Sequence, residues 1–374
     1  MEDRVYTEVK RLCYSGLDGI SLVREAARRL RRAVPFEAYC ALTMDPLSGL
    51  ITRARAEGMG GEEEARVFLE RVYFEDDPNA YSALAQTRRS TLLLSEATGG
   101  RLDRSLRYRE LLAPLGHAHE LRGVFTVGRE LWGATELTRE RGRPDFERRE
   151  VALLQRVAPH LGAGLKAAAL SSHSWPDDRS DDACGVLVLD HRGRLLRFTG
   201  AAEHWLAELE DPDSGWGDGH GPAAWREGRG LPAAVCNARG ALMRALKPET
   251  ERDRDRVPRV RVLSRSGRWL TLQAMLSEPR VDGESETVIV IEPSVPREVA
   301  WLRAAGYGLT PRERQVVDLE VRGASTRQIS QTLFVSENTV QKHLSNIFAK
   351  VGVRSRPALV KRLFFDNIAP SLFG

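Results

Sequence analysis

Hydrophobic residues recur at two different spacings in the first 170 residues, and this alternation predicts helices and strands of one α+β domain. Helical spacing begins near Val5, strand-like runs follow Pro35, and a hairpin comes later in the segment. A long helix capped by Asp145 closes it, and Pro159 is expected to kink or interrupt that helix. The predicted helices are 5–34 with a break at 16–19, 62–73, 81–86, 104–112 and 146–170, and the predicted strands are 38–43, 50–56, 91–94, 121–127 and 131–137.

A second α+β domain is predicted over 184–293, because the alternation starts again after an aperiodic linker at 171–183. A further linker at 294–308 leads to an all-helical domain at 309–374. The predicted fold class is therefore two α+β domains, the first spanning 1–170, followed by an all-α domain of four helices. In the second domain we predict strands at 185–189, 194–198, 260–263, 269–276 and 287–291, and helices at 201–209 and 238–246.

Capping residues mark the helix boundaries in residues 309–374. Thr310 and Glu313 form a capping box, and Ser325 and Gln328 repeat it one helix later. Ser336 then caps a third helix after a short turn. Two helices joined by a turn of about three or four residues are what a helix-turn-helix requires.

The third helix, at 336–351, separates apolar and polar residues onto opposite faces. Five apolar side chains are predicted to pack on the first two helices: Val340, Leu344, Ile347, Phe348 and Val351. The opposite face, flanked by Gln341 and Lys350, carries amides, a hydroxyl, a cation and one small residue: Asn338, Lys342, Ser345, Asn346 and Ala349. Such groups bond base edges and phosphate oxygens, and none is bulky enough to keep the helix out of a groove.

The positive charge of the chain is concentrated in the same domain. The whole chain has a net charge of +4, but residues 309–374 contain ten Lys and Arg against five Asp and Glu. That is a net +5, which leaves the rest of the chain with 46 basic and 47 acidic residues. Cations confined to one domain are expected if that domain alone binds a polyanion such as double-stranded DNA.

Composition and motifs exclude several other classes of protein. The 374 residues are 42% hydrophobic and 29% charged, with no apolar run of membrane-spanning length and no secretory signal pattern, so we expect a cytoplasmic protein. Four cysteines are scattered without CxxC pairing, so neither a disulfide framework nor a thiolate metal site is expected. No hydrolase, zinc-protease, P-loop or dinucleotide motif is present, and we therefore predict no enzyme.

The last domain has an ungapped pattern that includes Leu309-Thr310-Pro311-Arg312-Glu313, Gly323, Ile329-Ser330, Val335-Ser336, Thr339-Val340, His343-Leu344 and Lys350-Val351-Gly352-Val353. This pattern resembles the LuxR-type helix-turn-helix, the output domain also found on NarL/FixJ response regulators. The resemblance implies that the third helix enters the major groove and that homodimers read paired half-sites. It places three residues at base-contact positions: Gln341, Lys342 and Ser345. The family usually has Lys at the position of Gln341. A glutamine there favours adenine, to which its amide can form two hydrogen bonds. Four further residues are predicted to contact phosphates: Arg327, Asn338, Thr339 and Lys350.

Two further resemblances concern the preceding domains. The element order of 1–170, with Leu112-Ala113-Pro114-Leu115-Gly116 before the hairpin, resembles a GAF sensor domain. Residues 184–293, with Gly185-Val186-Leu187-Val188-Leu189-Asp190 and Gly267-Arg268-Trp269-Leu270, resemble a PAS domain. Together they imply sensing of a small-molecule effector or a protein partner, with no cofactor assigned. Four residues are candidates for a ligand pocket: Cys40, Phe125, Trp132 and Trp205.

The predicted function is a ligand- or partner-responsive, dimeric, DNA-binding transcription regulator. The helix at 146–170 is the candidate dimerisation element, because its apolar face exceeds what one sensor core needs. Two alternatives stay open. The helical end could bind a protein partner instead of DNA. The chain could also be a haem or redox sensor that uses His117, His119 or Cys40, although no further ligand is spaced to complete a metal site.

Overall fold

The computed structural model describes residues 1–71, 73, 80–87, 89–171, 183–210, 224–227, 230–247, 258–279, 285–294, 307–321, 323–360 and 362. They fall in two compact units: the first holds two antiparallel sheets with their helices, and the second holds the C-terminal helices. The predicted class of α+β segments followed by a helical domain is confirmed at this level. Most of the predicted linkers at 171–183 and 294–308 lies outside the described residues. No helix within the described ranges is long and apolar enough to cross a membrane.

The first sheet has the strand order β2-β1-β5-β4-β3, with every pair antiparallel. Most of the helix predicted at 104–112 is present as a π-helix at Tyr108–Leu112, and a 3-10 turn at Leu102–Arg104 precedes it. The elements are α1 (Glu2–Leu12), α2 (Gly19–Leu30), β1 (Ala38–Met44), β2 (Ile51–Glu57), α3 (Glu62–Glu70), α4 (Tyr81–Gln86), β3 (Thr91–Leu93), α5 (Leu94–Thr98), β4 (His117–Val127), β5 (Glu130–Glu140) and α6 (Arg148–Ser171).

The β4–β5 hairpin is the longest pairing of this sheet, and it extends the predicted strands at both outer ends. Gly128 has a φ of 64°, which allows the two-residue turn with Arg129. Helices α1, α2 and α6 cover one face of the sheet, and α3 and α4 cover the other. The sheet is therefore the middle layer of three.

One prediction about α6 was wrong. The helix begins at Arg148, so Asp145 lies too early to cap it, and the Glu150 carboxylate accepts from the Glu147 backbone N–H at 2.7 Å instead. Of the kink or interruption predicted at Pro159, the interruption is excluded, because α6 continues past this residue. Pro159 lies on the exposed side of α6, and the opposite side of the helix is held by buried side chains. Their packing offsets the backbone hydrogen bond that proline cannot donate.

The apolar face of α6 does not exceed what the first core needs, which removes the reason given for the predicted dimerisation element; dimerisation through α6 stays a prediction. Its large apolar side chains are at most 3% exposed and pack within the same chain, on the first sheet and on α1 and α2: Leu153, Leu154, Val157, Leu161 and Leu165.

A cluster of charged side chains lies inside the first core, between the sheet and α3. Arg107 donates to Glu120 at 2.8 Å and to Glu136, while Arg122 lies 3.3 Å from Glu120 and 3.4 Å from Glu136. The Tyr81 hydroxyl also donates to Glu136. All four charged side chains are at most 3% exposed, so they compensate one another in the absence of water.

The second sheet has the order β7-β6-β10-β9-β8 and is also fully antiparallel. One face packs on α7 and α8, around Trp205. Helix α8 begins five residues before its predicted start because Pro232 is its N-cap, and the Pro232 carbonyl accepts from Val235 N. The elements are β6 (Gly185–Leu189), β7 (Leu195–Phe198), α7 (Gly200–Leu209), a 3-10 turn (Ala224–Glu227), α8 (Ala233–Ala245), β8 (Arg259–Leu263), β9 (Trp269–Leu276) and β10 (Thr287–Pro293).

Buried polar contacts join the two sheets within the first unit. Asn237 of α8 is fully buried; its Oδ1 accepts from Ile51 N at 2.7 Å, and its Nδ2 donates to the Leu69 carbonyl at 2.8 Å. On either side, Arg239 pairs with Glu70, and Arg261 pairs with Asp45 at 3.2 Å. One side chain thus satisfies a backbone group at the start of β2 and another in α3.

The second unit is described from Tyr307 and contains α9 (Pro311–Val321), α10 (Thr326–Leu333), α11 (Glu337–Val351) and α12 (Arg356–Val360). Its core contains side chains from all four helices: Leu309, Val316, Val317, Ile329, Val340, Leu344, Ile347, Val351 and Leu359.

Candidate nucleic-acid interface

The predicted helix caps of the second unit are confirmed. Glu313 accepts from Thr310 N at 2.7 Å, and Glu313 N donates to the Thr310 hydroxyl at 3.2 Å. Ser325 and Gln328 form the second capping box, and the Ser336 hydroxyl accepts from Thr339 N at 3.1 Å. Because these bonds satisfy backbone donors that a helix start leaves open, they set the relative position of α10 and α11.

The turn between α10 and α11 is formed by Phe334 and Val335, as predicted. Phe334 has a φ of 53° and its side chain is 95% exposed. The left-handed conformation costs a non-glycine residue free energy, but it gives the Phe334 and Val335 N–H groups acceptors at the end of α10. This turn directs α11 away from α10 and exposes the start of α11.

Helix α11 has the two faces that its sequence predicts. Val340, Leu344, Ile347 and Val351 are buried in the core, and Phe348 is partly buried against it. The opposite face is exposed to solvent: Asn338, Gln341, Lys342, Ser345, Asn346 and Ala349. This face presents hydrogen-bonding groups along the helix, while the buried face holds the helix in the core.

The three predicted base-contact residues lie together on this exposed face. The Gln341 amide donates to the Thr326 hydroxyl at 3.3 Å, which links α11 to the start of α10. Lys342 and Ser345 make no side-chain hydrogen bond or ion pair with any described residue. Their polar groups are therefore available to a partner.

The predicted phosphate contacts differ in how far they are already engaged. Arg327 and Asn338 are exposed, whereas the Thr339 hydroxyl lies 2.8 Å from that of Ser336. The Lys350 ammonium is 2.6 Å from Glu313 of α9 and donates to the Gly308 carbonyl at 3.2 Å. Burial of Glu313 disfavours its charged form, but hydrogen bonds from Lys350 and Thr310 outweigh this and hold the pKa of Glu313 below its ordinary value. Lys350 thus has a structural partner, and its phosphate contact stays a prediction.

A polar link between distant helices was not predicted from the sequence. Arg356 of α12 pairs with Glu320 of α9 at 3.2 Å and donates to Thr326 of α10 at 2.5 Å. Burial raises the pKa of Glu320, although Arg356 opposes that shift. Since Glu320 and Arg356 belong to different helices, no local periodicity connects them, and the sequence pattern gives no signal for their pairing.

The four candidates for a ligand pocket do not share one cavity. Cys40 lies in the core of the first sheet and Trp205 in that of the second. Phe125 is fully buried, and Trp132 lines a cleft at the junction of the two sheets. Burial raises the pKa of the Cys40 thiol well above its ordinary value, so the reactive thiolate is disfavoured and the redox alternative loses support.

The two histidines considered for a metal contact different neighbours. His117 is buried with Nε2 at 3.2 Å from the Gly58 carbonyl, and His119 is 3.6 Å from Asp145. Within the described ranges, no group of three or more His, Cys, Asp or Glu side chains is placed to hold a metal ion.

The second unit is a helix-turn-helix domain by its geometry. The family described as "Bacterial regulatory proteins, luxR family" matches residues 308–363. Spore germination protein GerE of Bacillus subtilis is 46% identical over 55 residues, which are 15% of this chain and 74% of that protein. The chain therefore belongs to the luxR family of bacterial regulatory proteins.

The chain matches only a small part of one larger relative. A protein of Mycobacterium bovis, whose name describes an HTH-type transcriptional regulator, is 52% identical over 58 residues. These residues are 15% of this chain but only 7% of that relative's length. Among solved structures, the phage VqmA-DPO complex aligns with 48% of this chain and 79% of its own, at 17% identity and a TM-score of 0.25. A TM-score this low supports no conclusion about the first unit.

Proposed function

We propose that this protein is a transcription regulator that binds double-stranded DNA by inserting α11 into the major groove. The observation that carries the proposal is the division of α11: four apolar side chains are buried, while Gln341, Lys342 and Ser345 are exposed side by side. Amides, hydroxyls and cations are the groups that read base edges, and membership of the luxR family supports the same use of this helix.

In this proposal, Gln341, Lys342 and Ser345 contact bases, and Arg327, Asn338, Thr339 and Lys350 contact phosphates. Arg327 at the start of α10 and Asn338 at the start of α11 lie near helix N-termini, whose backbone N–H groups also favour phosphate. The protein acts as a homodimer that reads paired half-sites.

The first unit is the sensor in this proposal, with a GAF-like domain at 1–170 and a PAS-like domain at 184–293. The support is the element order: helices, a strand pair, helices, a hairpin and a long closing helix, then a second five-stranded antiparallel sheet. A ligand of this unit changes DNA binding only if it has different affinities for the DNA-binding and non-binding states.

The test is DNA binding by the full-length protein. Duplexes are selected from a randomised GC-rich library, and their affinity is measured by fluorescence anisotropy at several salt concentrations. We expect the logarithm of the association constant to fall linearly with the logarithm of the salt concentration, and the selected sequences to contain two related half-sites. If affinity is absent or independent of salt and sequence, DNA binding is ruled out and a protein partner for the helical end is favoured.

A further inference from the structure

A cleft of about 390 Å³ lies inside the first unit, where the first sheet meets the β8–β9 hairpin of the second. One wall contains the start of α2, the ends of β1 and β2 and the C-terminal half of α6, and the other contains residues 261–269. Small-molecule sites in proteins have volumes of about 300–1,000 Å³. The cleft therefore has room for a small organic molecule, and it borders the core of each sheet at Met44 and Val262.

The polar part of the lining carries more cations than carboxylates, and two of its arginines pair with carboxylates beside it: Arg24 with Glu25 at 3.6 Å and Arg261 with Asp45 at 3.2 Å. Among the described residues that line the cleft, one carries a carboxylate, Asp18, against five arginines: Arg24, Arg53, Arg55, Arg261 and Arg265. Two of these guanidinium groups are held in place across the junction. Arg53 donates to the Leu263 carbonyl at 3.1 Å, and Arg261 donates to Asp45 at 3.2 Å. Cations concentrated in a concave surface raise the local concentration of anions.

The remaining lining is aromatic and aliphatic, and it includes Trp132, Trp269, Met44 and Leu165. Trp132 is 3% exposed, and its indole Nε1 has no hydrogen-bond partner among the described residues. A buried indole N–H normally has an acceptor, and an oxygen of a bound anion provides one.

Two β-bulges shape the wall formed by the first sheet. In the β1–β2 pairing the register moves from Thr43–Arg53 to Met44–Ile51, so Thr52 is the extra residue. In the β4–β5 pairing it moves from Phe125–Gly133 to Thr126–Leu131, so Trp132 is the extra residue. Both extra residues line the cleft. Bulges redirect side chains and are frequent beside functional sites. Two bulges whose extra residues line one cleft therefore favour a binding site over a packing defect.

We propose that this cleft binds an organic anion, a carboxylate or phosphate ester attached to an aromatic or aliphatic body. The arginines bind the anionic group, and Trp132, Trp269 and Met44 contact the apolar body. Because the walls belong to both sheets, the ligand fixes their junction. The role of the ligand as an effector of DNA binding rests on the proposed function. The binding of the ligand to the cleft does not.

The probe for the test is 8-anilinonaphthalene-1-sulfonate, an aromatic anion whose fluorescence rises on binding. It is titrated into the folded full-length protein without DNA. We expect saturation at one molecule per chain, with affinity that falls as salt is added. Charge reversal in Arg265→Glu, at an exposed position of the cleft, is expected to weaken binding about tenfold. The matched control Arg101→Glu makes the same charge change at an exposed position outside the cleft and leaves binding unchanged.

A second variant tests the volume of the cleft instead of its charge. Ala169 lines the cleft and is only partly buried, so Ala169→Phe fills space without entering a packed core. We expect loss of probe binding at an unchanged unfolding temperature. Equal binding by the wild type, Arg265→Glu and Ala169→Phe would overturn the proposal, as would equal weakening by Arg265→Glu and Arg101→Glu.

Competition then identifies the anionic group. Decanoate and phenyl phosphate represent the two chemistries, and benzyl alcohol is the neutral control. Displacement by either anion but not by the alcohol supports the proposal, and the stronger competitor tells a carboxylate ligand from a phosphate ester. Equal displacement by the alcohol contradicts it. Since no step contains DNA, a failed DNA-binding test would remove the proposed function without affecting this result.

Discussion

At the scale of single residues, the cluster of Arg107, Glu120, Arg122 and Glu136 places four charged side chains in the core of the first sheet. Burial alone would raise the pKa of Glu120, but Arg122 and Arg107 outweigh it and hold the pKa of Glu120 below its ordinary value of 4.5. A carboxylate with a lowered folded-state pKa stabilises the fold above its unfolded-state pKa. That stability is lost as pH falls through the folded-state value.

Arg107→Met is expected to destabilise the first unit by about 3–5 kcal/mol, because it leaves two buried carboxylates with a single cation. It should also raise the pKa of Glu120 towards its unfolded-state value, so that the variant loses less stability on acidification than the wild type. Thermal unfolding measured between pH 3 and pH 7 checks both expectations.

The control for this experiment is Arg101→Met, at an exposed position. If Arg107→Met is too unstable to purify, the double variant Arg107→Met/Glu120→Gln removes one charge of each sign and should recover part of the loss. An Arg107→Met protein with the stability and pH profile of the wild type would show that the cluster contributes nothing.

Lys342 is the residue of α11 for which base contact can be tested most directly, because it is exposed and makes no interaction with the described residues. We expect Lys342→Ala to lose about 1–3 kcal/mol on the selected DNA site and to relax the sequence preference at one position. If the contact is to phosphate instead, affinity falls for all sequences and the salt slope decreases by about 1.

Anisotropy titrations at several salt concentrations, with selected and unrelated duplexes, separate these results. Lys10→Ala, an exposed lysine of α1, is the control for loss of a positive charge. Unchanged affinity and sequence preference in Lys342→Ala would exclude this residue from the interface.

At the scale of elements, the ion pair of Lys350 with Glu313 fixes α11 against α9. The Glu313 side chain is 4% exposed, while that of Lys350 is 34% exposed. Among the described residues, removing the lysine therefore leaves a nearly buried carboxylate with hydrogen bonds from the backbone N–H and the hydroxyl of Thr310.

Lys350→Met is expected to destabilise the helical unit by about 1–3 kcal/mol near neutral pH. It should also raise the pKa of Glu313. In the wild type this pKa is lowered, so the pair stabilises the unit above the ordinary carboxyl range and the effect is lost in acid. The variant should therefore lose less stability than the wild type on acidification, as measured by amide hydrogen exchange in α9 and α11.

Lys342→Met is the matched control, since it removes a lysine charge from the same helix without removing an ion pair. Unchanged exchange in Lys350→Met, combined with a smaller salt slope for DNA binding, would assign Lys350 to phosphate contact and not to the link between helices.

At the scale of the whole molecule, Asn237 joins the two sheets of the first unit. Its side chain satisfies Ile51 N and the Leu69 carbonyl, which belong to different elements of the first sheet domain. No other side chain of similar size could supply a donor and an acceptor in the same arrangement without changing the backbone.

Asn237→Ala is expected to cost about 1–3 kcal/mol for each backbone group left unpaired in the junction. Because the loss falls on the contact between sheets and not on either core, calorimetry of the full chain should show unfolding of the first unit split into two transitions. Asn346→Ala, an exposed residue of α11, is the control. A single transition at the wild-type temperature would show that the junction does not depend on Asn237.

The sequence by itself determined the helical unit almost completely. Caps such as Ser336 and the apolar spacing of Val340, Leu344 and Ile347 act over one helix turn or one helix face, so the local pattern contains the information. The strands were also predictable, because the alternation of apolar and polar residues within a strand is local. Their ends were less predictable, since β4 and β5 extend as far as they find hydrogen-bond partners in each other.

Only the tertiary structure decided what depends on residues far apart in the chain. The assignment of Arg107 to Glu120 and Glu136, the pairing of Lys350 with Glu313, and the position of Asn237 between two sheets have no periodic signal. The same holds for Trp132: its sequence position shows an aromatic residue in a strand, whereas a register shift in the β4–β5 pairing places it in a cleft beside arginines of both sheets. Local patterns specify elements because their forces act between near neighbours. Sites depend on how those elements pack, which only the folded chain determines.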